Sequence, residues 1–128
     1  MSKDARNPED LELSPEAAAK FQELVALLSA EGFGPDGPPI DTTFAEIEAF
    51  GHSTGRMLAR AVDQHLTSEH ARHFDGENVC PTCRQECSTE RKERLLQTED
   101  GEIGVGEPAC RCSVCNRAFF PSADGAAT

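Results

Sequence analysis

The chain has 128 residues and a formal net charge of −11 at neutral pH, with 6 cysteines, 7 phenylalanines and neither tryptophan nor tyrosine. That length holds one modest domain, or a small module beside a helical piece, with a core thin enough to need support besides apolar burial. No charged start leads into an apolar signal region and no run of ~18 apolar residues occurs, so the expectation is a cytoplasmic protein without a membrane segment.

The charge is unevenly spread. Residues 1–79 carry 15 acidic and 6 basic side chains, whereas residues 80–128 carry 8 and 6. All cysteines lie at or after Cys80. Without an export signal these thiols are expected to stay reduced and open to metal.

Residues 1–13 are polar and broken by Pro8, and read as a flexible arm. An acidic helical region over 14–76 follows. Ser14, Pro15 and Glu16 supply an N-cap, a first-turn proline and an acid favoured by the helix dipole. Phe21, Leu24, Val25 and Leu28 recur at helical spacing, so a helix is predicted over 15–31 with Gly32 as its stop. The Gly/Pro-rich stretch 32–39 connects it to a second helix, predicted to run to about His70. Thr43 and Glu46 have capping-box spacing at its start, and Phe44, Ile47, Phe50, Met57, Leu58, Ala61, Val62, His65 and Leu66 form its apolar stripe. Gly51 and Gly55 interrupt that stripe at a cost of ~1 kcal/mol each relative to alanine. They mark either a local weakness or a close approach by another helix: the first helix, or residues 44–66 of a second copy in a homodimer.

After Glu77 short segments alternate with Pro, Gly and Cys, and residues 77–121 read as a small antiparallel β zinc ribbon. Residues 95–98 and 102–105 flank Glu99-Asp100-Gly101 as a hairpin. Residues 122–128 read as a flexible tail. The expected class is α+β, a helical hairpin followed by the ribbon.

Cys80-Pro81-Thr82-Cys83 and Cys112-Ser113-Val114-Cys115 form a doubled C-x-x-C pattern. Each knuckle folds back to aim two sulfurs at one point, which suits one structural Zn²⁺ at ~2.3 Å in a tetrahedral shell. A filled four-sulfur shell leaves no open position for water or substrate, and no P-loop, nucleophile elbow or dinucleotide fingerprint is present, so a non-catalytic protein is expected. The alternative redox dithiol lacks the βαβ setting it requires. Cys87 and Cys110 read as spare buried thiols or as extra metal contacts. His65, His70 and His73 read as solvated helix-end residues, or as contributors with those two cysteines to a second metal site.

The order Cys80-Pro81-Thr82-Cys83, the Gly101 turn, and Cys112-Ser113-Val114-Cys115-Asn116-Arg117-Ala118-Phe119-Phe120-Pro121 resembles the zinc-ribbon segment upstream of the catalytic domain in DDE-type transposases of the ISKra family. The helical stretch 44–66 resembles the helix that precedes the ribbon there. The resemblance implies zinc on the four knuckle cysteines and closure of the ribbon by Phe119 and Phe120. Arg84 and Asn116 stand where such knuckles favour glycine, a left-handed backbone that asparagine tolerates better than arginine. The family's catalytic region would begin where this chain stops, so the acidic triad has no counterpart.

The leading expectation is therefore a transposase-like zinc-ribbon module in DNA recognition or nucleoprotein assembly, alone or beside a separate transposase subunit. Arg84, Arg91, Lys92, Arg94, Arg111 and Arg117 are the phosphate-contact candidates. The alternatives are a zinc-stapled adaptor for protein partners, which needs no basic face, and a decayed transposase fragment.

Overall fold

The computed structural model describes residues 12–121; the expected arm at 1–13 falls mostly, and the tail at 122–128 wholly, outside the described residues. Two helices, α1 (Pro15–Phe33) and α2 (Phe44–Ala71), precede four strands, β1 (Glu77–Val79), β2 (Glu86–Thr98), β3 (Gly101–Arg111) and β4 (Ala118–Phe119). The strands make one antiparallel sheet in the order β1-β2-β3-β4, so the class is α+β. By contacts the chain divides into two compact units, 1–52 and 53–128. No described helix is long and apolar enough to cross a membrane.

In the first unit, the Ser14 side chain accepts from the Ala17 N–H at 3.1 Å and Pro15 opens the helix. The helix runs two residues beyond the predicted 31 and ends at Gly34, at φ +86, whose N–H donates to the Ala30 carbonyl at 2.8 Å. Gly32 is not the stop. A Cβ there would lie 2.3 Å from Cε1 of Phe50, so this glycine is needed for close approach, and the Phe33 and Phe50 rings meet edge to face at 5.1 Å. The start of α2 is a reciprocal capping box: the Glu46 N–H donates to Thr43 Oγ1 at 3.2 Å, and the Thr43 N–H donates to Glu46 Oε1 at 3.1 Å. That backbone donor, followed by the Thr43 hydroxyl, holds the Glu46 carboxyl below its ordinary pKa.

In the second unit, the hairpin reaches far beyond the short strands read around the turn. It pairs continuously from Thr98↔Gly101 to Thr89↔Cys110. Residues 90–94 of β2 are all charged and carry no apolar strand pattern. The cause of their pairing is tertiary. Leu96 and Ile103 are register partners, Ile103 and Val105 are buried, and Leu96 and Val105 line a cleft with Thr67, His70 and Ala71 of α2. Pro108, fully buried, lines that cleft too, whereas Cys110 is buried farther along β3 in the cluster of cysteines. One ribbon thus serves two small cores in succession, one under α2 and one at the cysteines.

Arg60 of α2 fixes the hairpin tip. Its Nη1 donates to the Asp100 carbonyl at 2.8 Å, and its stem passes 3.0 Å from where a Cβ on Gly101 would sit. With φ at +125, Gly101 is required by both backbone and neighbour.

Candidate metal centre

The two knuckles are built alike. The Cys80 N–H donates to the Gln85 carbonyl and the Cys112 N–H to the Arg117 carbonyl, both at 2.8 Å. Arg84 (φ 66) and Asn116 (φ 59) occupy the left-handed region at equivalent places, directly after the second cysteine of each knuckle. Asn116 is further held by Arg111, whose Nη1 donates to its carbonyl at 3.1 Å and to its Oδ1 at 3.2 Å. Arginine tolerates this conformation at a cost of order 1–3 kcal/mol, which the knuckle must supply elsewhere.

The folded loops bring the Cys80, Cys83, Cys112 and Cys115 sulfurs within 4.8 Å of one another. Across the knuckles, Cys80 and Cys115 are 3.6 Å apart and Cys83 and Cys112 are 3.3 Å apart. Sulfurs bonded at ~2.3 Å in a tetrahedron lie just under ~4 Å apart, so the cluster fits a four-coordinate metal ion. No family model matches the chain, and comparison with curated proteins and with solved structures finds no match.

The sulfurs are electrostatically unequal. The Cys115 backbone N–H, then the Cys83 thiol, brings Cys112 down to about 6 against the opposing effect of burial. Cys80 is lowered in the same way, first by the Cys83 backbone N–H. For Cys83 the Gln85 N–H pulls down, but Cys112, burial and the other cysteines together raise it to about 12. Cys115 is raised by burial and by Cys80 and Cys112, outweighing the Arg117 N–H. Each short cross-knuckle contact therefore pairs a sulfur that favours the thiolate with one that holds its proton. Metal takes the place of those protons.

Cys87 and Cys110 lie beside the centre without entering it, packed with Cys80, Cys112 and Phe119 in one buried cluster. Burial, then the neighbouring Cys112, raises the Cys87 thiol to about 11. The Cys110 sulfur sits 3.2 Å from Thr89 Oγ1. Phe119 is only 3% exposed and closes this cluster, while Phe120 is half-buried. Among the described residues no other trio of His, Cys, Asp or Glu gathers to hold a metal, so the second site read from His65, His70, His73, Cys87 and Cys110 does not form. The His70 ring stands against His73 at 6.0 Å and Phe74 at 5.5 Å instead.

Asn78 was not singled out in the sequence. Its Nδ2 donates to the Phe74 carbonyl at 2.7 Å and to Thr89 Oγ1 at 2.5 Å, tying the start of β1 to the 3₁₀ turn Arg72–Phe74 and to β2. A lone asparagine between Glu77 and Val79 carries no signal for such a bridge.

The six basic candidates fall into two groups. Arg91 is engaged by Asp75 at 2.5 Å and by the Gly106 carbonyl at 3.0 Å, Arg94 by Glu107 at 2.5 Å, and Arg111 by Asn116. Arg84, Lys92 and Arg117 are exposed and have no ion pair among the described residues. Two of these three follow the knuckles. Lys92 instead lines a cleft of about 370 Å³ with Arg111, Phe119 and Phe120.

Proposed function

We propose that this chain is a non-catalytic zinc-ribbon module, with one Zn²⁺ held by Cys80, Cys83, Cys112 and Cys115 as a structural staple, that serves in assembling a nucleoprotein complex of the transposase kind. The observation that carries the metal reading is the approach of four cysteine sulfurs to within 4.8 Å of one another. A soft, all-thiolate set selects zinc over hard cations, and with its shell filled the ion stabilises the fold without activating water. The role in a nucleoprotein complex rests on the order of knuckles, turn and Phe-Phe-Pro ending that resembles the transposase ribbon. Native mass spectrometry tests the first part: one zinc per chain is expected, and two or none refutes it.

Direct contact with DNA is the narrower reading, favoured by the exposed Arg84, Lys92 and Arg117. Three phosphate contacts give a slope of log K against log salt of about −3, at ~0.9 per phosphate, and weak binding at physiological salt. Arg84→Ala with Arg117→Ala should reduce that slope by about two, read by fluorescence anisotropy with a random-sequence duplex at several salt concentrations. An unchanged slope, or no binding at low salt, leaves assembly through protein partners as the function.

A further inference from the structure

We propose that the first unit carries a docking cleft, formed where α1 ends and α2 begins, for a segment of another protein that joins an apolar anchor to lysine or arginine. This goes beyond the zinc-ribbon reading and rests on no residue of the ribbon.

Two adjoining clefts lie within the first unit. Ala26, Ala30, Phe33, Pro38, Ile47 and Phe50 line the first, of about 240 Å³, and no charged side chain enters its wall. That volume is below the ~300 Å³ at which small-molecule sites begin, and it suits one large side chain. Phe33 is also a wall of the second cleft, of about 430 Å³, which Asp41 and Glu46 line with Pro39 and Thr42. Ile40, fully exposed, stands between Pro39 and Asp41 at its edge.

The walls are held before anything binds. The Gly37 N–H donates to the Gly34 carbonyl at 3.2 Å and the Thr42 N–H to the Pro39 carbonyl at 3.0 Å. Pro35, Pro38 and Pro39 fix φ along the connection, and the Phe33 and Phe50 rings brace each other. A wall already ordered loses little entropy when it is covered.

Charge selects the occupant. Residues 21–52 carry six carboxylates and no lysine or arginine. None of the six has an ion pair among the described residues. Asp41 is exposed, and Glu46 engages Thr43 through Oε1, leaving Oε2 without a partner among the described residues. Like sign repels nucleic acid, an anionic membrane and the same face of a second copy. A peptide with lysine or arginine beside an apolar residue satisfies both clefts at once. Its apolar side chain fills the first, and its cation meets Asp41 and Glu46 in the second.

A random-peptide library displayed on phage and panned against the full chain is the probe. Selected peptides should share a leucine, methionine or phenylalanine next to lysine or arginine, and in spectra of the isotope-labelled chain they should shift the Phe33, Ile47 and Phe50 amides. Ile47→Lys should weaken a selected peptide at least ~10-fold, with helix content checked by circular dichroism. Asp41→Asn, on the exposed connection outside both helices, should weaken it ~3-fold with the helices intact. Raising salt from ~50 to ~300 mM should weaken the unsubstituted chain more than Asp41→Asn. A library that yields no consensus, a consensus without lysine or arginine, or binding indifferent to both substitutions overturns the proposal.

Discussion

The cysteine end and the helical end of this chain solve the problem of a small core in opposite ways. At the cysteine end Cys80 and Cys112 are fully buried and Phe119, Cys87 and Cys110 nearly so, around a cluster of metal-binding sulfurs. Along α1 no residue is buried, and along α2 only Ala71 is. On the proposed zinc reading, one end concentrates its stabilisation in a few strong bonds to an ion, and the other spreads it over caps, the Phe33–Phe50 contact and an apolar stripe still facing outward. Binding of a structural zinc contributes on the order of 10–16 kcal/mol in small peptides, whereas a cap contributes ~1. The two ends should therefore respond to different perturbations.

The largest separation is expected from the metal. Cys112→Ser should abolish zinc in native mass spectra and collapse the dispersed amide signals of the ribbon, while Cys87→Ser keeps the ion because its sulfur lies outside the set. Helical ellipticity should survive in part, since the Ser14 cap, the Thr43–Glu46 box and the Phe33–Phe50 contact are all remote in sequence from the knuckles. Simultaneous loss of all helix would show that the two ends fold as one.

Acid should act on the same end. Cys83, raised to about 12, and Cys115, also raised, hold their protons at neutral pH, so binding one metal ion there releases at least two protons. Affinity then falls as pH falls, by at least ~2 log units per pH unit. Below about 6 the Cys112 thiol also takes a proton, and the fall steepens. Competition with a chromophoric chelator between pH 5.5 and 8 measures this slope. A flat profile would mean that the thiols are already ionised in the metal-free fold.

Gly32→Ala perturbs only the other end. The new methyl would lie 2.3 Å from the Phe50 ring, so α1 or the ring must move, at about 1–3 kcal/mol. Thermal melting followed at the helical band should shift down with zinc stoichiometry unchanged. Smallest is Arg60→Ala, which removes the donor to the Asp100 carbonyl and should cost ~1 kcal/mol in denaturant unfolding of the metal-loaded protein.

The sequence by itself determined the features whose causes are local. Ser14-Pro15 and the Thr43–Glu46 pair state their caps within four residues, and each C-x-x-C loop aims its sulfurs through its own backbone, so the four cysteines were legible without the fold. Tertiary structure decided what depends on groups distant along the chain. Gly32 looked like a stop because nothing nearby reveals Phe50, eighteen residues on, against which it packs. Residues 90–94 carry no strand pattern, and they pair because the hairpin is buried beside α2 along one stretch and at the cysteines along another. Arg91, Arg94 and Arg111 looked like phosphate contacts until Asp75, Glu107 and Asn116 were placed beside them. A charge has a fixed sign in the sequence, but its availability depends on which opposite charge or carbonyl the fold sets within ~3 Å of it.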